Sequence, residues 1–311
     1  MKQTIPIIDL ADIGLENALE AKEETMTRVS KELDDAFANV GFVYLKNHGI
    51  DQHTVDAVLR ASQAFFQLPD DCKDAYRRNS TQYEGYSGID QEILESKNLH
   101  EVREAYDITS LDSFFPDEHL PEFRQAISEL VPELCKLSHR LLRCLAKALG
   151  LEDEYFIRCH TMMCQGSDKN ATTFRTLYYP SLADSAVKAG VERCGRHSDY
   201  GTFTLLFQDD IGGLEVFSGG EWVAATPIPG TVLVNVGDLL QFWTADRYLA
   251  TIHRVRVPEE EIRRRLARQS VAFFVHPDND VMVSPLNGSK NHLPISALAH
   301  LNLRYSQTYK Y

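Results

Sequence analysis

The sequence of 311 residues predicts a mainly β core, a double-stranded β-helix (jelly roll), with a helical N-terminal half packed around it. Two observations predict this fold. Before about residue 157, apolar positions recur at helical spacing, and after it short β-rich runs alternate with Gly and Pro turns. Seven such runs at this spacing are typical of a sandwich or barrel of antiparallel strands.

The N-terminal region, residues 1–156, is predicted to contain helices and two short strands. Periodic apolar positions predict one helix over residues 16–40 and another over residues 51–67, which ends near Pro69. A polar segment with several charges, residues 79–107, is predicted to be an irregular loop that could act as a lid. The other predicted elements are a strand at residues 5–10, a strand and turn at residues 41–50, and a helix over residues 121–149 that Gly150 closes.

The C-terminal region, residues 157–311, is predicted to hold the jelly roll and to form one integrated domain with the N-terminal region. The last segment, SALAHLNLRYSQTYK, is predicted to be a helix that closes the structure. The β-rich runs of the C-terminal region are TTFRTLYYP, GTFTLLFQ, GGLEVF, GEWVAATPI, GTVLVNVGDLLQFW, YLATIHRV and RQSVAFFVHP.

Charge and composition limit the expected partners. The formal net charge is −13, and a surface this acidic repels the phosphates of nucleic acid. The sequence contains no apolar run as long as a membrane span. A small-molecule substrate is therefore the expected partner, without nucleic acid or membrane. The oligomeric state stays open, and a monomer fits the sequence.

The cysteines and the N-terminus favour a cytoplasmic location. Six cysteines without a CxxC pair are typical of free thiols in a reducing compartment. The N-terminal segment MKQTIPIIDL lacks the long apolar stretch of a secretory signal peptide.

A His and an Asp stand two residues apart in RHSDYGTFTLL. In a strand, side chains at i and i+2 point to the same face, so His197 and Asp199 would project together. A third ligand is available in YLATIHRV, where His253 should also lie on a strand, and two further His lie near the C-terminus. Two His and one carboxylate form the facial triad of non-haem Fe(II) oxygenases, which leaves positions open for a co-substrate and O2.

The HxD pattern alone is weak, because the chain contains it twice. The second copy is His276-Pro277-Asp278. Pro277 cannot donate to a strand ladder, and Asn279 and Asp280 follow as a turn signal. This copy is therefore predicted to be a turn rather than a metal site.

An anion site is predicted in RQSVAFF. Arg268 and Ser270 share one strand face, and a guanidinium with a hydroxyl suits a carboxylate. A dicarboxylate co-substrate would bind with one end at the metal and the other end here, with Tyr179 as a third donor. The alternative is that Arg268 pairs with one of the many surface acids.

Seven blocks of the sequence, between residues 5 and 277, resemble a known family in order. They resemble the isopenicillin N synthase-like branch of the 2-oxoglutarate/Fe(II)-dependent dioxygenases. The resemblance implies that His197, Asp199 and His253 ligate Fe(II), and that Arg268, Ser270 and Tyr179 bind 2-oxoglutarate. It implies oxidation, as a rule hydroxylation, of a C–H bond of a small molecule with O2 and release of succinate and CO2. The blocks are IPIIDL, GFVYLKNHGI, FFQLPDDCK, HSDYGTFTLLFQDDIGGLEV, GEWVAATPIPGTVLVNVGDLLQFW, ATIHRV and RQSVAFF.

Within this branch, HSDYGTFTLLFQD, GYS and REAYD are similar to fungal thymine hydroxylases. That similarity implies substrate contacts from Arg175, Tyr200 and Phe274. Tyr83 occupies a position where the thymine enzymes have Asn, and this departure counts against thymine itself. Phe274 as an aromatic platform still permits a flat or ring-shaped substrate, and it equally fits an ordinary core residue.

Three alternatives remain at this point. One is an oxidase of the same family that uses O2 without 2-oxoglutarate, for ring closure or desaturation, because isopenicillin N synthase itself keeps an Arg-x-Ser motif. Another is a non-catalytic jelly-roll protein that binds a small molecule, against which the intact ligand set argues. A zinc hydrolase is disfavoured, because the motifs supply no general base beside the metal.

Overall fold

The computed structural model describes residues 4–17, 23–78, 83–89, 91–92, 94, 102–182, 192–257, 265–288 and 293–308. Strands in these residues are β1 Ile7–Asp9, β2 Phe42–Lys46, β3 Gly85–Ser87, β4 Glu104–Ile108, β5 Thr173–Tyr179, β6 Glu192–His197, β7 Phe203–Gln208, β8 Leu214–Ser218, β9 Glu221–Ala224, β10 Thr231–Val236, β11 His253–Arg256, β12 Arg268–Val275, β13 Met282–Val283 and β14 Ile295–Ser296. Helices are α1 Glu23–Asn39, α2 Gln52–Phe66, α3 Asp70–Asp74, α4 Pro121–Ala148, α5 Asp238–Trp243 and α6 Ala297–Thr308, with a short 3-10 turn at Ile157–Cys159.

Two sheets form the jelly roll. The major sheet has eight strands in the order β1-β2-β10-β7-β12-β5-β4-β3, and the minor sheet has four in the order β6-β11-β8-β9. All pairs in both sheets are antiparallel except β1 with β2. The predicted fold class, a mainly β jelly roll with surrounding helices, is confirmed.

Side-chain alternation along the major sheet separates two apolar layers. On β2, Val43 and Leu45 belong to the layer shared with the helices, whereas Phe42 and Tyr44 face the space between the two sheets. This is the period of two that a strand covered on both faces requires. The space between the sheets therefore becomes the cavity in which a site can be built.

The helices cover the outer face of the major sheet. Helix α4 is the central one, and α1 and α2 both pack against it. Helix α2 begins at Asp51, whose carboxylate accepts a hydrogen bond from the backbone N–H of His53, as expected of an N-cap. The predicted helices over residues 51–67 and 121–149 are confirmed. The predicted helix over residues 16–40 is present from Glu23 onward, and residues 18–22 lie outside the described residues. No helix in the described ranges is both long and apolar enough to cross a membrane.

Strands from both halves of the chain share the major sheet. β1 to β4 precede residue 157, and β5, β7, β10 and β12 follow it. The helical N-terminal half is thus interleaved with the β core rather than only packed around it. A boundary near residue 156 stays a prediction.

The prediction of an irregular loop over residues 79–107 is wrong in two places, because β3 and most of β4 lie there. The pattern was misleading because the buried side chains of β4 include charges. Glu104 is paired with Lys73 at 2.6 Å, and Asp107 is paired with Arg78 at 2.8 Å and with Arg175. Buried carboxylates with such partners are stable in a strand, although a sequence with several charged residues is more typical of a loop. Residues 79–82, 90, 93 and 95–101 lie outside the described residues.

In the second HxD copy, His276-Pro277-Asp278, the aspartate has a structural role. Asp278 follows β12 and is buried, and its carboxylate accepts four hydrogen bonds. The donors are the backbone N–H and hydroxyl of Thr161 at 2.9 and 2.7 Å, the N–H of Met162 at 3.0 Å, and the side-chain amide of Asn170 at 2.7 Å. The residues that follow, Asn279 and Asp280, form the predicted turn.

We expect Asp278→Ala to lower the free energy of unfolding by about 3 kcal/mol, because it leaves four donors without an acceptor. Urea denaturation followed by circular dichroism measures this change. Asp280→Ala is the matched control, since Asp280 is exposed two residues further on, and its unfolding midpoint should stay within error of the parent protein. Equal midpoints for the two variants would contradict the structural role of Asp278.

Candidate active site

The two predicted His ligands come from paired strands of the minor sheet. His197 at the end of β6 is in register with His253 at the start of β11. Their ring centroids lie 4.1 Å apart. Asp199 follows β6 and forms an isolated bridge with Gly237, at the start of α5. The antiparallel pairing, rather than proximity in sequence, brings the second His to the pair.

The three side chains converge on one point. The Nε2 atoms of His253 and His197 lie 3.6 and 3.8 Å from Oδ1 of Asp199. One ligand atom from each residue lies within 4.8 Å of the others. Among the described residues, this is the one group of three or more His, Cys, Asp or Glu side chains with such geometry.

Hydrogen bonds behind the triad orient each ligand. Nδ1–H of His197 donates to the carbonyl of Gly195 at 2.8 Å, and Nδ1–H of His253 donates to the carbonyl of Thr251 at 3.0 Å. Both Nε2 atoms therefore carry a lone pair toward the centre.

The carboxylate of Asp199 is held from the other side. Its Oδ2 accepts from the hydroxyl of Thr204 at 2.6 Å and from the side-chain amide of Asn235 at 2.7 Å, which leaves Oδ1 for the centre. Three acceptor atoms that face one another require a cation between them. The donor set and its support fit Fe(II).

Ionisation agrees with this arrangement. Burial and the neighbouring His197 lower the pKa of His253 to about 4, so that its imidazole is neutral near pH 7. Burial opposes ionisation of Asp199, but attraction to His253 and His197 in their protonated forms and the hydrogen bonds from Asn235 and Thr204 outweigh it. The pKa of Asp199 therefore lies below its usual value. Neutral imidazoles and an ionised carboxylate are the forms that bind a metal.

Two glycines let the loop that carries Asp199 approach its neighbours closely. A Cβ at Gly201 would lie 2.3 Å from the carbonyl oxygen of Val275, and a Cβ at Gly237 would lie 2.3 Å from the carbonyl oxygen of Gly201. No side chain fits at either position without movement of the backbone. The two close approaches fix the position of Asp199 relative to β12 and α5.

The predicted anion residues lie together at another part of the same cavity. Arg268 and Tyr179 are directly opposite each other on β12 and β5, and the guanidinium carbon of Arg268 lies 4.8 Å from the Tyr179 ring centroid. Arg268 is buried and donates to the Gly212 carbonyl at 3.0 Å, the Ser270 hydroxyl at 3.3 Å and the Gln208 side-chain oxygen at 3.4 Å. All three of these acceptors are neutral. The structure therefore does not support the alternative that Arg268 pairs with a surface acid.

One cavity connects the triad and the arginine, and it holds about 890 Å³ of space including its open mouth. It lies between the two sheets, and the triad and the arginine both belong to its wall. Residues that line it include the three triad residues, then Tyr179, Arg268 and Ser270, and also Glu92, Leu94, Arg103, Arg175, Tyr200, Phe274, His276 and Tyr305.

The four predicted substrate residues are placed differently from one another. Tyr200 and Phe274 line the cavity. Arg175 also lines it, but its guanidinium is engaged by both carboxylate oxygens of Asp107, at 2.5 and 2.8 Å, and by Glu92 at 3.0 Å. Its polar atoms therefore organise the cavity wall.

Tyr83 lies behind the cavity wall. Its ring centroid is 5.5 Å from that of Tyr305, and its hydroxyl donates to the side chain of Asn302 at 2.5 Å. Both partners belong to α6, the predicted closing helix. The direct substrate contact expected of Tyr83 stays a prediction.

Sequence reasoning did not assign His276 to the cavity wall. His276 belongs to the HxD copy that was assigned to a turn, yet its ring lines the cavity and is buried. Burial and the imidazoles of His300 and His160 lower the pKa of His276 to about 3, which keeps it neutral. Glu92 and Tyr305 also line the cavity; the segments 83–107 and 287–311, which contain them, were expected to set substrate specificity, but neither residue was named. The signal for His276 was its place directly after the pocket-lining strand β12.

Comparisons with known proteins agree with this geometry. A family model described as the N-terminal region of a non-haem dioxygenase in morphine synthesis matches residues 5–128, and the model of the 2OG-Fe(II) oxygenase superfamily matches residues 170–277. The chain is 32% identical to the 2-oxoglutarate-Fe(II) type oxidoreductase ppzD of Metarhizium rileyi, over 82% of this chain and 77% of that protein.

Two solved structures extend the likeness to the whole fold. The thymine hydroxylase of Neurospora crassa, in complex with alpha-KG (2-oxoglutarate) and thymine, superimposes with a TM-score of 0.83 at 26% identity, over 97% of each chain. JOX2 in complex with 2OG, Fe and JA superimposes with a TM-score of 0.75 at 27% identity, over 97% of this chain and 84% of that one. The shared fold, the triad and the family matches lead to one conclusion. The chain belongs to the 2-oxoglutarate/Fe(II)-dependent oxygenases, enzymes that use Fe(II), O2 and 2-oxoglutarate to oxidise a substrate.

Proposed function

We propose that His197, Asp199 and His253 hold the iron, and that Arg268, Ser270 and Tyr179 hold the distal carboxylate of 2-oxoglutarate. The observation that carries this proposal is the single cavity, with three converging acceptor atoms in one part and a buried guanidinium in another. Bound Fe(II) supplies the activation of O2, which is coupled to decarboxylation of 2-oxoglutarate to succinate and CO2. These six residues bind and orient the reactants.

We propose further that the substrate is a small, flat ring compound. Support comes from Phe274, Tyr200 and Tyr305, three of the aromatic side chains that line the cavity. Flat apolar faces favour stacked or edge-on contact with a planar ring. The structural likeness to the Neurospora thymine hydroxylase with thymine bound supports the same class. Thymine itself is not assigned, because Tyr83 departs from the Asn of the thymine enzymes.

The polar groups in the same wall require a ring with both donors and acceptors. Glu92 offers carboxylate oxygens, and it is held by Arg175 at 3.0 Å and by Arg103 at 3.1 Å. The neutral imidazole of His276 offers one donor and one acceptor. A purely apolar ring would leave the buried Nδ1 of His276 without a hydrogen-bond partner, so a polar heterocycle fits this wall better.

Helix α6 closes the site over such a substrate. Tyr305 reaches the cavity from this helix, and Arg304 is paired with Asp238 of α5 at 2.5 Å. The guanidinium of Arg304 also lies 4.4 Å from the ring centroid of Tyr200. The helix therefore contributes Tyr305 to the cavity wall beside the proposed substrate.

A cytoplasmic location is proposed because of the state of the cysteines. All six are free thiols in the structure, which supports a reducing compartment. The acidic net charge supports a small-molecule rather than a nucleic-acid partner.

The substrate class is tested by a screen for substrate-stimulated succinate formation by the Fe(II)-loaded enzyme. We expect pyrimidines, purines and related heterocycles to stimulate succinate release above the rate without substrate. Linear amino acids and aliphatic acids should not. Stimulation by a linear acid alone would contradict the proposed substrate class while leaving the iron and 2-oxoglutarate roles intact.

We expect Phe274→Leu to raise the KM of a stimulating heterocycle about fivefold, because an aromatic contact worth about 1 kcal/mol is lost. The Kd of 2-oxoglutarate should not change. Phe217→Leu is the matched control, since Phe217 is 43% exposed on β8 and does not line the cavity. An unchanged KM for Phe274→Leu would assign Phe274 to the core rather than to substrate binding.

A further inference from the structure

A second arginine is buried near Arg268 and belongs to neither motif. Arg193 lies on β6 and is 1% exposed. Its Nη2 donates to the carbonyl of Pro180 at 3.4 Å, and its Nε and Nη1 have no hydrogen-bond partner. No carboxylate among the described residues lies within ion-pair distance of it. A buried guanidinium with two unused donor atoms is costly, and such a group calls for an explanation.

The surroundings of Arg193 point to the anion end of the cavity. Pro180, its one hydrogen-bond partner, directly follows Tyr179, whose ring faces Arg268. Burial and the charge of Arg268 lower the pKa of Arg193 to about 10, and Tyr179 and Asp209 act in the opposite direction. The two guanidinium groups therefore repel each other within one buried region.

The local charges do not cancel. Among the described residues, Asp209 is the acid whose charge acts on both guanidinium groups. Its carboxylate accepts hydrogen bonds from the backbone N–H groups of Gln269 and Ile211. It balances at most one of the two positive charges, so at least one remains. Without Arg193, the charge of an ionised Asp209 would offset that of Arg268, although the two side chains are not paired, and the attraction for an anion would be weaker.

We propose that Arg193 is a positioning residue for the co-substrate, which acts through Arg268 by keeping the anion end of the cavity positively charged. The proposal rests on the role of Arg268 proposed above. Arg193 does not line the cavity, so its effect is electrostatic rather than a contact. It favours 2-oxo acids with a second carboxylate over 2-oxo acids without one, because only the second carboxylate reaches this end.

The test is calorimetric titration under argon of the Fe(II)-loaded protein with two ligands. 2-Oxoglutarate carries the distal carboxylate, and 2-oxobutyrate lacks it. We expect Arg193→Met to raise the Kd of 2-oxoglutarate about tenfold and to leave the Kd of 2-oxobutyrate unchanged. Added salt should weaken 2-oxoglutarate binding less in the variant than in the parent. Arg193→Lys keeps the charge and should restore most of the affinity.

Controls separate this proposal from its competitors. Arg158→Met removes an exposed arginine paired with Glu152 and should leave both Kd values unchanged. Equal weakening of both ligands by Arg193→Met, or no recovery with Arg193→Lys, would assign Arg193 to folding and overturn the proposal. An unchanged Kd for 2-oxoglutarate would overturn it as well. If Arg268→Met itself does not weaken the binding of 2-oxoglutarate relative to that of 2-oxobutyrate, the role proposed for Arg268 is contradicted, and the role of Arg193 with it.

Discussion

Asp199→Asn is expected to lower Fe(II) affinity and substrate-dependent succinate formation by more than about 100-fold. The amide has nearly the same shape, but it is neutral and cannot serve as an anionic ligand. In the parent protein, Oδ1 of Asp199 faces the two Nε2 atoms, and Oδ2 is already used by Thr204 and Asn235. Loss of the charge therefore removes a ligand without a replacement among these groups.

Iron content after anaerobic loading and desalting measures this loss directly, independently of turnover. Thermal unfolding of the metal-free proteins shows whether the fold is kept. Asp112→Asn is the control, because Asp112 is exposed. This variant should retain iron as the parent protein does. Retention of stoichiometric iron by Asp199→Asn would contradict the assignment of the carboxylate as a ligand.

Arg268→Met is expected to raise the Kd of 2-oxoglutarate about 100-fold, or about 2.7 kcal/mol. The guanidinium is buried, its protein partners are neutral, and the carboxylate of the co-substrate would complete its charge-assisted hydrogen bonds. The expected effect is larger than that of Arg193→Met, because Arg268 lines the cavity and Arg193 does not.

Titration of 2-oxoglutarate into the iron-loaded variant measures the change. Iron retention should stay normal, since Arg268 is not part of the triad, and this separates the second prediction from the first. Saturation of the variant at the same 2-oxoglutarate concentration as the parent would contradict an anion site at Arg268.

Much of the site was predictable because its residues share strand faces. His197 and Asp199 lie two residues apart, as do Arg268 and Ser270. In an extended chain, side chains with this spacing point to the same side. His253 was harder to assign from spacing, because only the register of β11 with β6 brings it to His197. The resemblance to a family implied His253 as the third ligand, and the structure then showed the strand pairing that brings it there.

Residues that depend on long-range charge pairing were not predictable. Glu104 and Asp107 made β4 look like a loop, because Lys73 and Arg78, which compensate them, lie about thirty residues earlier. Arg175 lines the cavity, and its ion pairs with Asp107 and Glu92 could not be inferred from the sequence, so its contact with substrate stays a prediction. His276 was set aside because Pro277 marks a turn, and a turn can still begin at the cavity wall.

The stoichiometry of turnover tests the central claim most directly. With a stimulating heterocycle and Fe(II), we expect one succinate for each oxidised substrate molecule and each O2 consumed, and no turnover when 2-oxoglutarate is omitted. Oxidation of the substrate with O2 consumption but without succinate would show a family oxidase instead. It would contradict the use of 2-oxoglutarate and the function assigned to the buried arginines.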